Sequence, residues 1–238
     1  MRLIIIGLSL ILFVNEVCAT SVAKQQEITH IRELLQQIVD VNLRYKDKFY
    51  TIISESTLEQ QTPHATVVLC SDSRVDTDIL SDTPTGEMFV IRNIGNQLDT
   101  AYGSVEYGVE HLDTRLLLIV GHSRCGAIKA AMHDYGDASR NLKAELDTLD
   151  VNPAATLNQN LVHNVNNQVK HAVETFASKI KSNQLVVIGM IYDMHNDFMF
   201  GSGQLILVNI NNQTAPRILQ QNEYINGLNN LVVMGRGY

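Results

Sequence analysis

Short apolar runs alternate with longer segments of helical periodicity along most of this chain. Five runs have the length and apolar content of buried strands: 66–69, 87–92, 116–120, 185–191 and 205–210. Three segments repeat apolar residues at helical spacing: 102–112, 126–132 and 157–180. This alternation predicts one α/β domain with a mostly parallel central sheet flanked by helices. The fifth run follows the fourth closely, so we expect four parallel strands and an antiparallel strand at one edge.

The N-terminal pattern is typical of an export signal. A short basic start is followed by twelve nearly all apolar residues, Leu3–Val14, and small residues then precede a cleavage point after Ala19. The apolar run is too short to span a membrane comfortably. We therefore predict a signal peptide at 1–19 and an exported protein, periplasmic or secreted. An uncleaved membrane anchor is the alternative, and a lipoprotein through Cys18 is a weaker one.

The segment after the predicted signal has the pattern of one amphipathic helix. Apolar residues recur at helical spacing from Ile28 to Val39, and the helix is expected to continue toward Tyr50. We assign residues 20–60 to an N-terminal helical arm that packs on its own domain or on a partner. Residues 61–212 form the predicted α/β core, and the polar segment 213–238 is predicted to be a tail of the same domain.

The charge balance narrows the range of partners. The chain has 18 Lys and Arg against 25 Asp and Glu, which gives a formal net charge of −7. No basic stripe interrupts this acidic composition, so a nucleic acid or an anionic membrane is not an expected partner. After removal of the signal we expect no stable membrane association.

Candidate metal ligands follow two of the predicted strands. Cys70 and Asp72 lie two residues apart, and His122 and Cys125 lie three apart, so each pair can face one point. The carboxyl ends of parallel strands meet at one edge of a sheet, where open α/β sheets bind ligands. Thiolate, imidazole and carboxylate are the ligands that Zn²⁺ takes in proteins. Cys18 leaves with the signal, so the two remaining cysteines could form a single disulfide. We predict one zinc per chain instead, because each cysteine has a ligand-type neighbour at a short offset, which a disulfide does not need.

The role of Asp72 separates two kinds of zinc site. As a fourth ligand it would close the site and make it structural. Paired instead with the planar fork of Arg74, it would leave a position for water and orient it. We favour the open, catalytic arrangement because a purely structural site has no use for Arg74. A nucleophilic pair of Cys125 and His122 ranks low because it leaves Cys70 and Asp72 unexplained.

The motifs occur in the order typical of a known enzyme family. Cys70-Ser-Asp-Ser-Arg-Val75, Phe89-Val-Ile-Arg-Asn-Ile-Gly-Asn96, Glu106-Tyr107 and Gly121-His-Ser-Arg-Cys-Gly-Ala127 resemble a β-class carbonic anhydrase. The similarity spans roughly residues 60–210, and Ile191-Tyr-Asp193 resembles a later strand end of the family. The export signal and the longer segment 193–204 depart from the family pattern.

The resemblance implies a function and a set of site residues. It implies zinc on Cys70, His122 and Cys125, with Asp72 and Arg74 as a catalytic dyad that orients zinc-bound hydroxide for the reversible hydration of CO₂ to bicarbonate and a proton. Asp72 would be a fourth ligand only in a closed state of the site. The implied substrate pocket, similar to that of the plant-type branch, is lined by Gln61, Phe89, Tyr107 and Gly126. A homodimer or larger homo-oligomer is also implied.

Two other functions fit the same sequence. The same scaffold could hydrolyse carbonyl sulfide or carbon disulfide, because the shape of the pocket decides between these substrates. A non-catalytic zinc-binding protein is the alternative outside enzymology. The sequence assigns no residue as a proton shuttle.

Overall fold

The computed structural model describes residues 2–235, with residues 2–23 as backbone only. Two compact units divide the chain between Glu55 and Ser56. The first is one helix, α1 (Arg2–Ile52), which contains the predicted helix from Ile28 toward Tyr50. The side chains of the predicted signal 1–19 lie outside the described residues. Of the helices in the described part of the chain, none combines the length and apolar character needed to cross a membrane.

The second unit contains the central sheet and the remaining helices. Its helices are α2 (Glu55–Glu59), α3 (Tyr102–Glu106), α4 (Gly126–Ala131), α5 (Arg140–Leu146), α6 (Leu157–Thr175), α7 (Ala177–Lys181) and α8 (Pro216–Gln220). Its strands are β1 (Ala65–Cys70), β2 (Met88–Asn93), β3 (Leu116–His122), β4 (Val186–Asp193), β5 (Gln204–Ile210) and β6 (Val232–Val233). All five predicted strands are therefore confirmed within a few residues.

The strands form one sheet in the order β2-β1-β3-β4-β5-β6. All neighbouring pairs are parallel except β4 and β5, which are antiparallel. The predicted α/β fold with a mostly parallel, helix-flanked sheet is confirmed. The placement of the antiparallel strand at the edge is wrong, because β6 pairs beyond it. Only Val232 and Val233 form that strand, and two residues are too few to show a strand period in sequence.

The helical segments differ from the prediction in three places. The segment 102–112 is a helix, but its second half, Tyr107–His111, is a π-turn. The long helix predicted over 157–180 is interrupted at Phe176, whose ψ of 26° is not helical, and α7 follows. The sequence pattern missed α5 and α8, because each is shorter than two turns and shows little of the helical period.

The centre of the sheet, where β1 and β3 pair, is closely packed. Every residue of β1 is buried, and six of the seven residues of β3 are buried. Helix α6 lies against this face, and Val165 comes so near that a Cβ at Gly121 would lie 2.7 Å from its Cγ2 atom. These contacts fix the carboxyl ends of β1 and β3 side by side, and each end carries candidate ligands.

Candidate metal centre

The three candidate ligands converge at the carboxyl edge of the sheet. Cys70 is the last residue of β1, His122 is the last of β3, and Cys125 precedes α4. All three are buried, and one ligand atom from each lies within 4.8 Å of the others. The two sulfur atoms are 3.9 Å apart. A tetrahedral zinc with Zn–S bonds of about 2.3 Å would place its sulfurs about 3.8 Å apart. The spacing therefore fits a zinc ion.

His122 presents a single free nitrogen to this point. Its Nδ1 lies 3.0 Å from the carbonyl oxygen of Ser123, to which an N–H there donates. This hydrogen bond leaves the lone pair on Nε2, as in metal-binding histidines whose other nitrogen donates to a carbonyl. Nε2 is buried and, among the described residues, has no hydrogen-bond partner. Such an orphaned buried nitrogen is costly in a folded protein unless a ligand satisfies it.

The two thiols are in hydrogen-bond contact in this arrangement. Both cysteines are free, since their sulfurs are far beyond disulfide length. A hydrogen bond from Cys125, together with the backbone N–H groups of Gly95 and Asp72, lowers the pKa of Cys70 in spite of burial. The same contact, together with burial, raises the pKa of Cys125. Two buried sulfur atoms and an orphaned imidazole nitrogen make a donor set for a soft or borderline cation.

Asp72 and Arg74 form a bidentate pair beside the ligands. Arg74 Nε donates to Oδ1 of Asp72 at 2.9 Å, and Nη2 donates to Oδ2 at 2.8 Å. The backbone N–H of Arg74 also donates to Oδ1, at 3.0 Å. These hydrogen bonds hold the pKa of Asp72 well below its usual range. Oδ2 lies 4.0 Å from His122 Nε2, so the carboxylate borders the space that the ligands surround while Arg74 engages both its oxygens.

The predicted pocket residues have different surroundings. The rings of Phe89 and Tyr107 pack at a centroid distance of 5.7 Å, and Tyr107 in turn packs on His111 at 4.6 Å. Gly126 follows Cys125, and a Cβ there would meet no atom within 4 Å, so space is open beside the ligand. Gln61 is exposed between α2 and β1. The structure thus brings Phe89 and Tyr107 together.

Arg92 holds the segment after β1 and was given no role from the sequence. Its Nε donates to the carbonyl oxygen of Cys70 at 3.2 Å, and its Nη2 donates to those of Asp72 at 2.9 Å and Val75 at 2.5 Å. One guanidinium therefore fixes three carbonyls of the turn that carries the first ligand. Only its place in the motif beginning at Phe89 could have pointed to it, because its partners lie about twenty residues earlier.

A family model and the related proteins identify the same family. The family model described as "Carbonic anhydrase" matches residues 65–199. The carbonic anhydrase of Mycolicibacterium smegmatis is 45% identical over 78 residues, which are 32% of this chain and 38% of that protein. The chain thus spans about two fifths of the length of such curated relatives.

Solved structures share the fold. A tetrameric β-carbonic anhydrase from Sordaria macrospora superposes with a TM-score of 0.60 at 23% identity, over 76% of this chain and 97% of that one. The Coccomyxa β-carbonic anhydrase in complex with acetazolamide also has a TM-score of 0.60, at 22% identity, over 78% of this chain and 90% of that one.

Proposed function

The chain belongs to the β-class carbonic anhydrase family, and on that premise we propose that it catalyses the reversible hydration of CO₂ to bicarbonate and a proton. One observation carries the proposal. The buried atoms Cys70 Sγ, His122 Nε2 and Cys125 Sγ surround one point, and the Asp72 carboxylate borders it without being one of the three. Three protein ligands with an open fourth position are the arrangement of catalytic zinc, whereas structural sites have four.

The donor set fits zinc as the resident metal. Two sulfurs and one nitrogen at this spacing match tetrahedral Zn²⁺, and the orphaned Nε2 of His122 gains its missing partner when the metal binds. When bound, zinc supplies a Lewis acid that makes a water molecule in the open position acidic enough to yield a nucleophile. Cys70, His122 and Cys125 would hold it.

Asp72 then works as the orienting group of the reaction. Its Oδ2 is close to the ligand cluster and accepts a hydrogen bond from the attacking water, so that the lone pair of the water is directed at carbon. Arg74 holds both carboxylate oxygens in place through its forked hydrogen bonds, which also lower the pKa of Asp72. An ionised Asp72 can accept a proton but not donate one, which fixes the orientation of the water.

A pocket shared with a second copy of the chain would receive CO₂. Phe89 pairs with Thr66 near the amino end of β2, away from the ligand edge, so its ring and that of Tyr107 would face the ligands of the second copy. The missing side chain at Gly126 leaves room at the second sulfur. Gln61 is assigned to the same pocket by family resemblance.

We further propose a homo-oligomer of an exported protein. Strand β2 is an edge strand, and Val90 on it is 38% exposed, so a second copy could cover an apolar sheet edge. The related Sordaria enzymes are tetramers. The export assignment rests on the sequence pattern of residues 1–19 alone.

A stopped-flow CO₂ hydration assay on the zinc-loaded full chain tests the proposed activity. We expect turnover in the wild type and a loss of about a hundredfold in Asp72→Ala, while zinc content stays at one per chain. Asp76→Asn, which removes a carboxylate four residues further along, serves as control and should keep the wild-type rate. An inactive wild type that holds zinc with four protein ligands would instead identify a non-catalytic zinc protein.

A further inference from the structure

The backbone between two of the ligands is held in an unfavourable conformation. Arg124 lies between His122 and Cys125 and has a φ of 57°, in the left-handed region that non-glycine residues rarely adopt. This conformation costs about 1 kcal/mol, and it persists only where surrounding contacts enforce it. It also turns the chain sharply enough for both side chains to reach one point. The turn therefore needs support from elsewhere in the fold.

Asp197 supplies that support to Arg124 directly. Arg124 Nε donates to Oδ2 of Asp197 at 2.9 Å, and Nη2 donates to Oδ1 at 2.9 Å. This fork-to-carboxylate geometry is stronger and more directional than a single contact. Hydrogen bonds from the guanidinium lower the pKa of Asp197. The backbone carbonyl of Asp197 is itself fixed, because Asn158 Nδ2 donates to it at 3.0 Å.

A buried carboxylate organises the segment that presents Asp197. Asp193 is the last residue of β4 and is fully buried. Its Oδ1 accepts the N–H groups of His195 at 3.3 Å and Asp197 at 3.0 Å, and its Oδ2 accepts that of Phe198 at 2.8 Å. A carboxylate with three backbone donors defines the course of the loop after β4. The position of Asp197 is thus set by the sheet.

Ser123 joins the same loop to the imidazole ligand. Its Oγ accepts the N–H of Met194 at 3.0 Å, and its own N–H donates to the carbonyl of Tyr192 at 2.9 Å. Its carbonyl accepts the Nδ1 proton of His122. A fully buried serine thereby links the loop after β4 to the orientation of the metal-binding ring.

We propose that Ser123, Arg124, Asp193 and Asp197, here called the ligand-turn clamp, are positioning residues that set the zinc affinity of the turn carrying His122 and Cys125. The proposal rests on the proposed function, because it presumes that zinc is the resident metal. The clamp touches neither metal nor substrate. It acts by keeping the turn in its strained form before the metal arrives, so that less ordering is required when the metal binds.

Two clamp variants and one matched control test the proposal. Asp197→Asn removes the charge of one exposed ion pair near the ligands. Asp113→Asn does the same at the other end of β3, where Asp113 pairs with Lys179 at 2.7 Å. Arg124→Gly removes the guanidinium but puts at that position a residue that tolerates positive φ, so the turn can still form.

The readouts are the zinc dissociation constant from chelator competition and the absorption spectrum of the cobalt-substituted full chain. We expect about a fivefold weaker zinc affinity for Asp197→Asn and for Arg124→Gly, the scale of one well-formed exposed bidentate pair. The double variant should be no weaker than the weaker single variant, because both remove one interaction. The sulfur-to-cobalt bands should shift in the clamp variants and stay unchanged in Asp113→Asn. A role in stability alone would move neither readout.

Wild-type zinc affinity and an unshifted cobalt spectrum in both clamp variants would overturn the proposal, and so would an equal loss in Asp113→Asn. A wild-type chain that binds no zinc would overturn the proposed function itself, which is a different result. Zinc binding by the wild type together with CO₂ hydration that Asp72→Ala leaves intact would also count against the proposed mechanism, without changing the clamp measurement.

Discussion

The two ligand-bearing turns of the site are held in contrasting ways. The turn after β1, residues 70–75, is nearly self-contained, since Asp72 pairs with Arg74 two residues away and Arg92 of the adjacent strand fixes its carbonyls. The turn after β3, residues 122–126, depends on partners about seventy positions later in the chain, on the loop after β4.

The two turns have different tasks in the proposed zinc centre. The first turn contributes one ligand and the carboxylate proposed to orient water, and its local contacts keep that carboxylate ionised. The second turn contributes two ligands. Contacts with the loop after β4 hold its backbone in a strained conformation. We expect damage to the first turn to show mainly in the rate and damage to the second mainly in metal binding.

Removing one cysteine ligand should have the largest effect on zinc affinity. The effect should be similar for both turns. Cys125→Ala and Cys70→Ala each delete one of three ligands, so we expect zinc affinity to fall by at least about a thousandfold in either variant. Ser178→Ala, at an exposed position on α7 away from both turns, is the control. Chelator competition provides the measurement, and full zinc occupancy in Cys70→Ala would show that the first turn does not bind the metal.

Adding a methyl group at Gly121, where α6 packs against the end of β3, should destabilise the fold. Gly121→Ala would bring a Cβ within 2.7 Å of Val165 Cγ2, so we expect a loss of about 2 kcal/mol in the free energy of unfolding by urea. Gly126→Ala, at the other side of the same turn, has open space and should be at least as stable as the wild type. Equal losses in both would mean that α6 does not support the turn.

Breaking the ion pair of the first turn should lower the rate and spare the metal. Arg74→Ala frees both oxygens of Asp72, so the carboxylate loses its fixed orientation and we expect kcat/KM to fall about tenfold with unchanged zinc content. Arg74→Lys keeps the charge without the fork and should recover part of the rate. Zinc loss in Arg74→Ala would assign the pair to metal binding instead.

Weakening the hydrogen bonds from Arg92 of β2 to the first turn should have the smallest effect, a small loss of stability. Arg92→Lys keeps a charge but cannot reach three carbonyls at once, so we expect about 1 kcal/mol less stability in urea unfolding. Arg140→Lys, at an exposed position on α5, should change nothing measurable. If Arg92→Lys unfolds at the same urea concentration as the wild type, the first turn keeps its structure without these contacts from β2.

The contrast between the turns also explains what the sequence could predict. The five strands and their parallel arrangement follow from apolar runs, and the ligand pairs follow from spacing within a few residues of a strand end. Asp197 and Asp193 could not be found this way, because their partners are distant in sequence and depend on how β4 pairs with β3. Strand β6 could not be predicted for a different reason. It has two residues, and only its pairing with β5 identifies it as a strand.

Zinc-edge X-ray absorption of the reduced, zinc-loaded chain tests the central claim most directly, when wild type and Asp72→Asn are compared. We predict two sulfurs at about 2.3 Å and two lighter atoms at about 2.0 Å in both proteins, because we propose that water is the fourth ligand and that Asp72 only borders it. A first coordination shell that changes in Asp72→Asn would make the carboxylate a ligand. A protein without zinc, its two thiols joined to each other, would contradict the account altogether.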